Sequence, residues 1–205
     1  MANMAAHEII SGFDKTIDWD NIIRYSEPRM NQNTGAKSIN ISWMNNKKSG
    51  RLVITSPVLM TWGMSSYEGK SYDMNLQFPP RDTLPELQDV GQFLANLETF
   101  EAKLCRDAVE HSKKWFGKVM TKEQIEVLWS PMLRYRKDPQ TGEPDVTQSP
   151  TWKVKFPYFE NVFKCEIYNM DGELLYKPND ARYADVDLES IIQKKADVKL
   201  AAING

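Results

Sequence analysis

Two stretches of strict alternation precede one long stretch of three-and-four spacing, and that arrangement bounds what the chain can fold into. Ile39, Ile41 and Trp43 alternate with Ser38, Asn40 and Ser42, and Tyr72, Met74, Leu76 and Phe78 alternate with Asp73, Asn75 and Gln77. A period of two marks a half-buried strand. Pro79-Pro80 stops the second run, because proline brings no N–H to a ladder. After both runs, Val90, Phe93, Leu94, Leu97, Phe100, Leu104, Ala108 and Val109 recur every three or four residues, which predicts a helix over about 85–115. Thr83 is its expected N-cap, Pro85 sits in its first turn, and Gly117 offers a left-handed stop after Trp115-Phe116.

The remaining segments are short. Arg51–Thr55 and Val58–Met64 read as one strand interrupted at Pro57. Thr121 caps a small helix over Lys122–Trp129. Met132–Arg136 and Thr151–Phe156 read as strands joined by the Pro/Gly/Asp-rich loop 137–150. Phe163–Asn169 and Glu173–Tyr176 form a hairpin around a two-residue Asp171-Gly172 turn. A short helix over Leu188–Lys194 and a last strand over Val198–Ile203 complete the order. The result is a mainly β, β-rich α+β fold. Strands, a long helix and more strands is the order of an elaborated five-stranded Greek-key barrel, the OB-fold, with the helix between its third and fourth strands; a generic α+β sandwich shares that order. Residues 1–34 read as an N-terminal arm packed on a single body formed by residues 35–205.

Composition narrows the function. With 26 Lys+Arg against 28 Asp+Glu the net charge is −2, which excludes a histone-like polycation, and 41% hydrophobic residues can fill a substantial core. No apolar run approaches the ~20 residues of a membrane span, and no secretory leader pattern opens the chain, so a soluble, non-secreted protein is expected. Cys105 and Cys165 are too few for a disulfide scaffold or an all-Cys zinc site, which fits a reducing compartment. His7 and His111 lie in no nucleophile or metal motif, and the ten glycines form no phosphate-cradling loop. The pairs Asp18/Asp20 and Asp185/Asp187 can be read as an acid–base or divalent-ion site, or more simply as acids at turns and helix starts. The expectation is a protein without cofactor, metal or catalytic residues.

Charge placement is more telling than net charge. From Gly35 to Tyr67 there are four cations, Lys37, Lys47, Lys48 and Arg51, no carboxylate, and two tryptophans, Trp43 and Trp62. Cations neutralise phosphates and aromatic faces stack unpaired bases, the chemistry of single-strand binding. Trp43 alternates with Ile39 and Ile41 and belongs to a core; Trp62 can serve a core or a platform. If 132–136 and 151–156 are strands, Arg134 and Arg136 share one face, Lys153 and Lys155 share one face, and pairing would gather all four on a ribbon backed by Leu133, Tyr135, Trp152, Val154 and Phe156. Solvent-facing cations on an ordinary exposed strand give the same pattern.

The segments Val58-Leu-Met-Thr-Trp-Gly-Met64, Tyr72-Asp-Met-Asn-Leu-Gln-Phe-Pro79, Trp115-Phe-Gly-Lys118, Pro131-Met-Leu-Arg-Tyr135 and Pro150-Thr-Trp-Lys-Val-Lys155 resemble the single-stranded-DNA-binding proteins of nucleocytoplasmic large DNA viruses, themselves distantly similar to the OB-fold single-stranded-DNA-binding protein of a short-tailed coliphage. The resemblance spans roughly Lys37–Ile203. It implies an OB-fold and a non-enzymatic role in viral DNA replication, recombination and repair, in a cytoplasmic or nuclear replication compartment of the host cell or packaged in the virion. Single-stranded DNA is the implied partner, together with a viral polymerase or helicase; self-association is compatible with it, and no membrane is involved. Phosphate contacts are expected from Lys47, Lys48, Arg51, Arg134, Arg136, Lys153 and Lys155, and base stacking from Trp62 and Tyr135. The acidic, aromatic-ended tail of the phage protein has no counterpart in Ala201–Gly205, as expected of a truncated chain or a shortened relative. The competing expectation is a structural or interaction protein that keeps the fold and binds protein partners.

Overall fold

The computed structural model describes residues 9–32, 35–45 and 48–203 and is mostly β, with several sheets and a few helices. The chain divides into two units, the first from residues 1–58, 82–131 and 199–205, the second from residues 59–81 and 132–198. Neither unit begins at residue 35.

The chain starts in the first unit with β1 (Ile9–Ser11), the helical turn α1 (Trp19–Ile22), β2 (Ile23–Tyr25), the pair β3 (Arg29–Met30) and β4 (Lys37–Ser38), β5 (Ile41–Asn45), β6 (Lys48–Arg51) and β7 (Val53–Thr55). Asp18 starts α1 by accepting the N–H groups of Asp20 and Asn21, so it is a cap. β5 is the centre of an antiparallel sheet with β2 and β6, and Trp43, opposite Ile23 and Gly50, is buried together with Ile23. Within the segment expected as an arm, Ile9–Ser11, Ile23–Tyr25 and Arg29–Met30 are strands, the first two paired with β7 and β5.

Pro57 does more than interrupt a strand. The chain crosses there to the second unit and forms β8 (Leu59–Tyr67) and β9 (Ser71–Gln77), so β7 and β8 lie in different sheets. Proline cannot extend the ladder, and the buried Ser56 before it is committed to Leu200: its N–H donates to the Leu200 carbonyl and its hydroxyl accepts the Leu200 N–H, both at 2.9 Å.

Back in the first unit, the long helix is shorter than its periodicity predicts. Glu86 and Leu87 donate to the Thr83 and Leu84 carbonyls in tight turns, and α2 runs only over Gln88–Glu110, without a side-chain cap. Pro85 disfavours helical geometry at Leu84, which delays the start. His111 then leaves helical geometry, and α3 (Ser112–Phe116) ends at Gly117 in the expected left-handed conformation. Helix α4 (Lys122–Leu128) has a capping box between Thr121 and Gln124. Phe93, Leu94, Leu97 and Phe100 form the buried side of α2, while Ala108, Met120 and Ile125 make a cluster with Val109 and Trp115.

The second unit resumes with β10 (Leu133–Arg134), β11 (Thr151–Lys155), hairpin strands β12 (Tyr158–Phe159) and β13 (Val162–Phe163), hairpin strands β14 (Ile167–Tyr168) and β15 (Leu174–Tyr176), α5 (Leu188–Ile191) and β16 (Asp197–Val198). The hairpin expected over 163–176 forms as β14 and β15, with its first strand starting at Ile167 because Phe163 belongs to the preceding hairpin. Its Asp171-Gly172 turn is a three-residue loop: Asn169 and Glu173 close it, and Gly172 takes φ +81°. The last predicted strand is also divided, because β17 (Ala201–Ile203) returns to pair with β7 in the first unit, opposite β1. In the second unit β10, β11, β9, β8 and β16 form one antiparallel five-stranded sheet in that order. Its outer strands are β10 and β16, so the sheet is open and does not close into a barrel.

Candidate nucleic-acid interface

Register decides which residues share the outer face of the five-stranded sheet. Leu133 lies opposite Trp152 and Arg134 opposite Thr151; on the other edge of β11, Trp152 faces Leu76, Lys153 faces Asn75, Val154 faces Met74 and Lys155 faces Asp73. Since directly opposed residues project to the same side, Leu133, Trp152, Met74 and Leu76 fall on one face and are buried. Arg134, Lys153, Lys155, Asn75 and Gln77 fall on the other. The two strands therefore pair as a ribbon, with Arg134, Lys153 and Lys155 on one side.

Arg136 does not join them through the ladder. β10 ends at Arg134; the Arg136 carbonyl accepts the Asp145 N–H at 2.7 Å, and Lys137 bridges to Pro144. The loop folds on itself there, so the face shared by Arg134 and Arg136 that alternation predicted is not imposed by β10, although both side chains are exposed.

Lys153 is also not a free cation. Its Nζ sits 2.6 Å from Asp73 Oδ2, with the two side chains only 24% and 18% exposed, and the Ser65 hydroxyl donates to Asp73 Oδ1 at 2.9 Å. Burial pushes the Asp73 carboxyl up, but the hydrogen bonds from Lys153 and Ser65 and the charges of Lys153 and Arg134 outweigh it and hold the group below the ordinary carboxylate range. Of the three ladder cations on this face, Arg134 and Lys155 are the solvent-exposed ones.

A bulge in β8 places the aromatics. Thr61 lies opposite Leu76 and Met64 opposite Met74, so Trp62 and Gly63 together oppose Asn75. Gly63 takes φ +86°, and a Cβ there would lie 3.2 Å from Lys194 Cγ and 3.3 Å from the Lys194 nitrogen. Trp62 projects to the outer face, 46% exposed, and its indole N–H donates to Gln77 Oε1 at 3.3 Å. Beyond the bulge the alternation is shifted by one: Met64 turns inward, while Ser65 and Tyr67 turn outward, Tyr67 being 68% exposed. Uninterrupted alternation from Trp62 would have turned Tyr67 inward. Tyr67, Asn75 and Gln77 are thus face residues missing from the sequence-derived set; the alternation over 72–78 indicated the last two, and nothing local indicated the first.

Tyr135 is already occupied. The Arg81 guanidinium stands 6.0 Å from its ring centroid and donates to its hydroxyl at 3.4 Å, so the ring is half-buried under a cation. Of the remaining predicted cations, Arg51 is exposed in the first unit, opposite Ser42; Lys48 opens β6 opposite Asn45; and Lys47 lies outside the described residues, as does His7. The cation-rich stretch 35–67 is divided between the units, with Trp43 in the core of one and Trp62 on the sheet face of the other.

Among the carboxylate pairs, Asp187 caps α5 by accepting the Glu189 N–H, and Asp20 is ion-paired with Lys103 and Arg106. Among the described residues, no group of three or more His, Cys, Asp or Glu side chains could hold a metal, and no helix is long and apolar enough to cross a membrane. No family model, no curated protein and no solved structure matches the chain.

Proposed function

We propose that this protein binds single-stranded DNA, with little sequence preference, on the outer face of the five-stranded sheet, and that it breaks no bond in doing so. The observation that carries the reading is the presence on one face of two exposed aromatic rings, Trp62 and Tyr67, and two solvent-facing cations, Arg134 and Lys155. Unpaired bases stack on such rings for ~1–3 kcal/mol each while cations neutralise the backbone. The Asn75 amide on the same face can donate and accept hydrogen bonds without selecting one base, while Gln77 is engaged by the Trp62 indole and the Phe78 carbonyl.

In this reading the open sheet is the ligand-facing part of an elaborated OB-fold, as the resemblance to viral single-stranded-DNA-binding proteins implies, and the role is protection and presentation of strands during viral replication, recombination or repair, with polymerase or helicase as partner proteins. A second reading, an interaction protein of the virion or replication compartment, draws support from Val119, Val127 and Leu128, which are largely exposed in the first unit.

Fluorescence-anisotropy titration of labelled oligo-dT of about 30 nucleotides, longer than the ~4–16 nucleotides covered by an OB-fold, tests the proposal. Binding should resist duplex competitor, and each neutralised phosphate should add roughly −0.7 to the log–log salt slope. Arg134→Ala with Lys155→Ala should flatten that slope by more than one unit of about −0.7. Absence of binding at low salt would leave the interaction-protein reading.

A further inference from the structure

The first unit has a cleft of about 410 Å3 between β2, the C-terminal half of α2 and α3. Its size is that of a small-molecule site. Its floor is a buried ion pair: Lys103 Nζ lies 2.6 Å from Asp107 Oδ2, both residues are more than nine-tenths buried, and the Tyr25 hydroxyl donates to the same oxygen at 2.5 Å. Burial first, and the hydrogen bond to Asp107 second, push the Tyr25 phenol up, so its hydroxyl stays a donor to Asp107. With Asp107 satisfied, this floor is a rigid base. An aromatic wall rises from it: the Tyr25 and Trp115 rings are 4.9 Å apart edge to face, and His111 is 5.3 Å from Trp115.

The rim is built differently. Arg106 pairs with Asp20, which also lies 3.2 Å from Lys103 Nζ, and reaches Asp107 Oδ1 at 3.8 Å; Lys114 Nζ pairs with Glu27 at 2.7 Å, and the Arg106, Asp20, Lys114 and Glu27 side chains are all more than half exposed. Ion pairs of that kind are worth little, so either cation can exchange its carboxylate for a better anion at small cost. Arg24, also exposed, is a third cation lining the cleft; it donates to its neighbour's carbonyl, the Ile23 oxygen, at 2.6 Å. A phosphate offers a guanidinium paired acceptors that a single carboxylate oxygen does not.

The geometry points to a phosphorylated nucleoside as the ligand of this cleft, its ring against the Trp115 and His111 wall and its phosphate on Arg106 and Lys114. The inference does not rest on the nucleic-acid reading of the sheet, because every residue it uses belongs to the first unit. Two sources supply such a ligand, a free nucleotide or the phosphorylated end of a strand, and both present the same chemistry.

Isothermal titration calorimetry of the full chain with adenosine 5′-monophosphate is the test, with adenosine and inorganic phosphate as half-ligands. One-to-one binding is expected, with each half-ligand at least about tenfold weaker, and about tenfold loss in Arg106→Gln and in Lys114→Gln, the scale of one charge-assisted contact. Asp20→Asn, which removes the competing carboxylate, should tighten binding several-fold, a gain that a purely structural role of Asp20 would not produce. Arg134→Ala with Lys155→Ala should leave it unchanged. A parallel titration with 5′-phosphorylated and 5′-hydroxyl thymidine dinucleotides identifies the source: preference for the phosphorylated dinucleotide over the mononucleotide marks a strand end, the reverse a free nucleotide. No binding by either at about 5 mM, or binding that Arg106→Gln and Lys114→Gln leave intact in folded protein, overturns the inference.

Discussion

Lys153 holds Asp73 across the β11–β9 pair, with Nζ 2.6 Å from Oδ2 on the proposed DNA-binding face of the sheet. One of the cations counted for phosphate is therefore neutralised inside the protein, by a carboxylate that occurs in the sequence only as an alternating polar residue. Asp73→Asn frees it. The expected result is several-fold tighter oligo-dT binding at low salt and a steeper salt slope, read by anisotropy.

The same pair sets a pH dependence. The folded carboxyl of Asp73 titrates below its ordinary value, so the stability it contributes is complete above the unfolded carboxylate value near ~4 and is lost as pH falls through the lower folded value. Urea midpoints measured from about pH 6 to about pH 3 should fall less in Asp73→Asn than in the parent chain. Equal slopes would mean that the ion pair contributes nothing to stability.

Trp62 and Tyr67 are exposed, so their removal should separate binding from folding. Trp62→Ala and Tyr67→Ala should each weaken oligo-dT binding by ~1–3 kcal/mol while moving the thermal midpoint little. Gly63→Ala should act on both. Its φ of +86° strains any side chain, so a loss of ~1–3 kcal/mol of stability should accompany weaker binding as Trp62 loses its orientation.

Gly12 tests how closely the N-terminal segment packs. A Cβ there would meet the Thr55 carbonyl oxygen at 2.5 Å, Phe93 Cε2 at 2.6 Å and Ile54 Cγ2 at 2.7 Å. Gly12→Ala should cost ~1–3 kcal/mol or more in denaturant unfolding, since the backbone carbonyl cannot rotate aside. A neutral outcome would show residues 9–12 to be a loosely attached arm.

Burial pushes both thiols, Cys105 and Cys165, up to about 11, with Glu101 and Glu126 adding to the effect at Cys105. Alkylation of the folded protein at about pH 8 should be some two orders of magnitude slower than that of a free thiol of ordinary pKa near ~8.5, and unfolding should restore the ordinary rate.

Wherever structure follows from neighbours in the chain, it was legible in the sequence. Alternation marked the strands at Tyr72–Phe78 and Thr151–Lys155, the Thr121 cap and the Gly117 stop were visible from residue type, and Trp43 read as core. These are short-range effects of side-chain periodicity and backbone sterics, which the local sequence carries in full. What only the tertiary structure decided depends on which strands become neighbours. Pro57 divides two strands between units because Ser56 is bonded to Leu200, 144 residues later; Lys153 is neutralised because β11 lies beside β9; Tyr67 faces outward because a bulge opposite Asn75 shifts the alternation by one residue. A one-residue shift exchanges the two faces of a strand, so the composition of a binding face is set by pairing register, and register is a property of two segments at once.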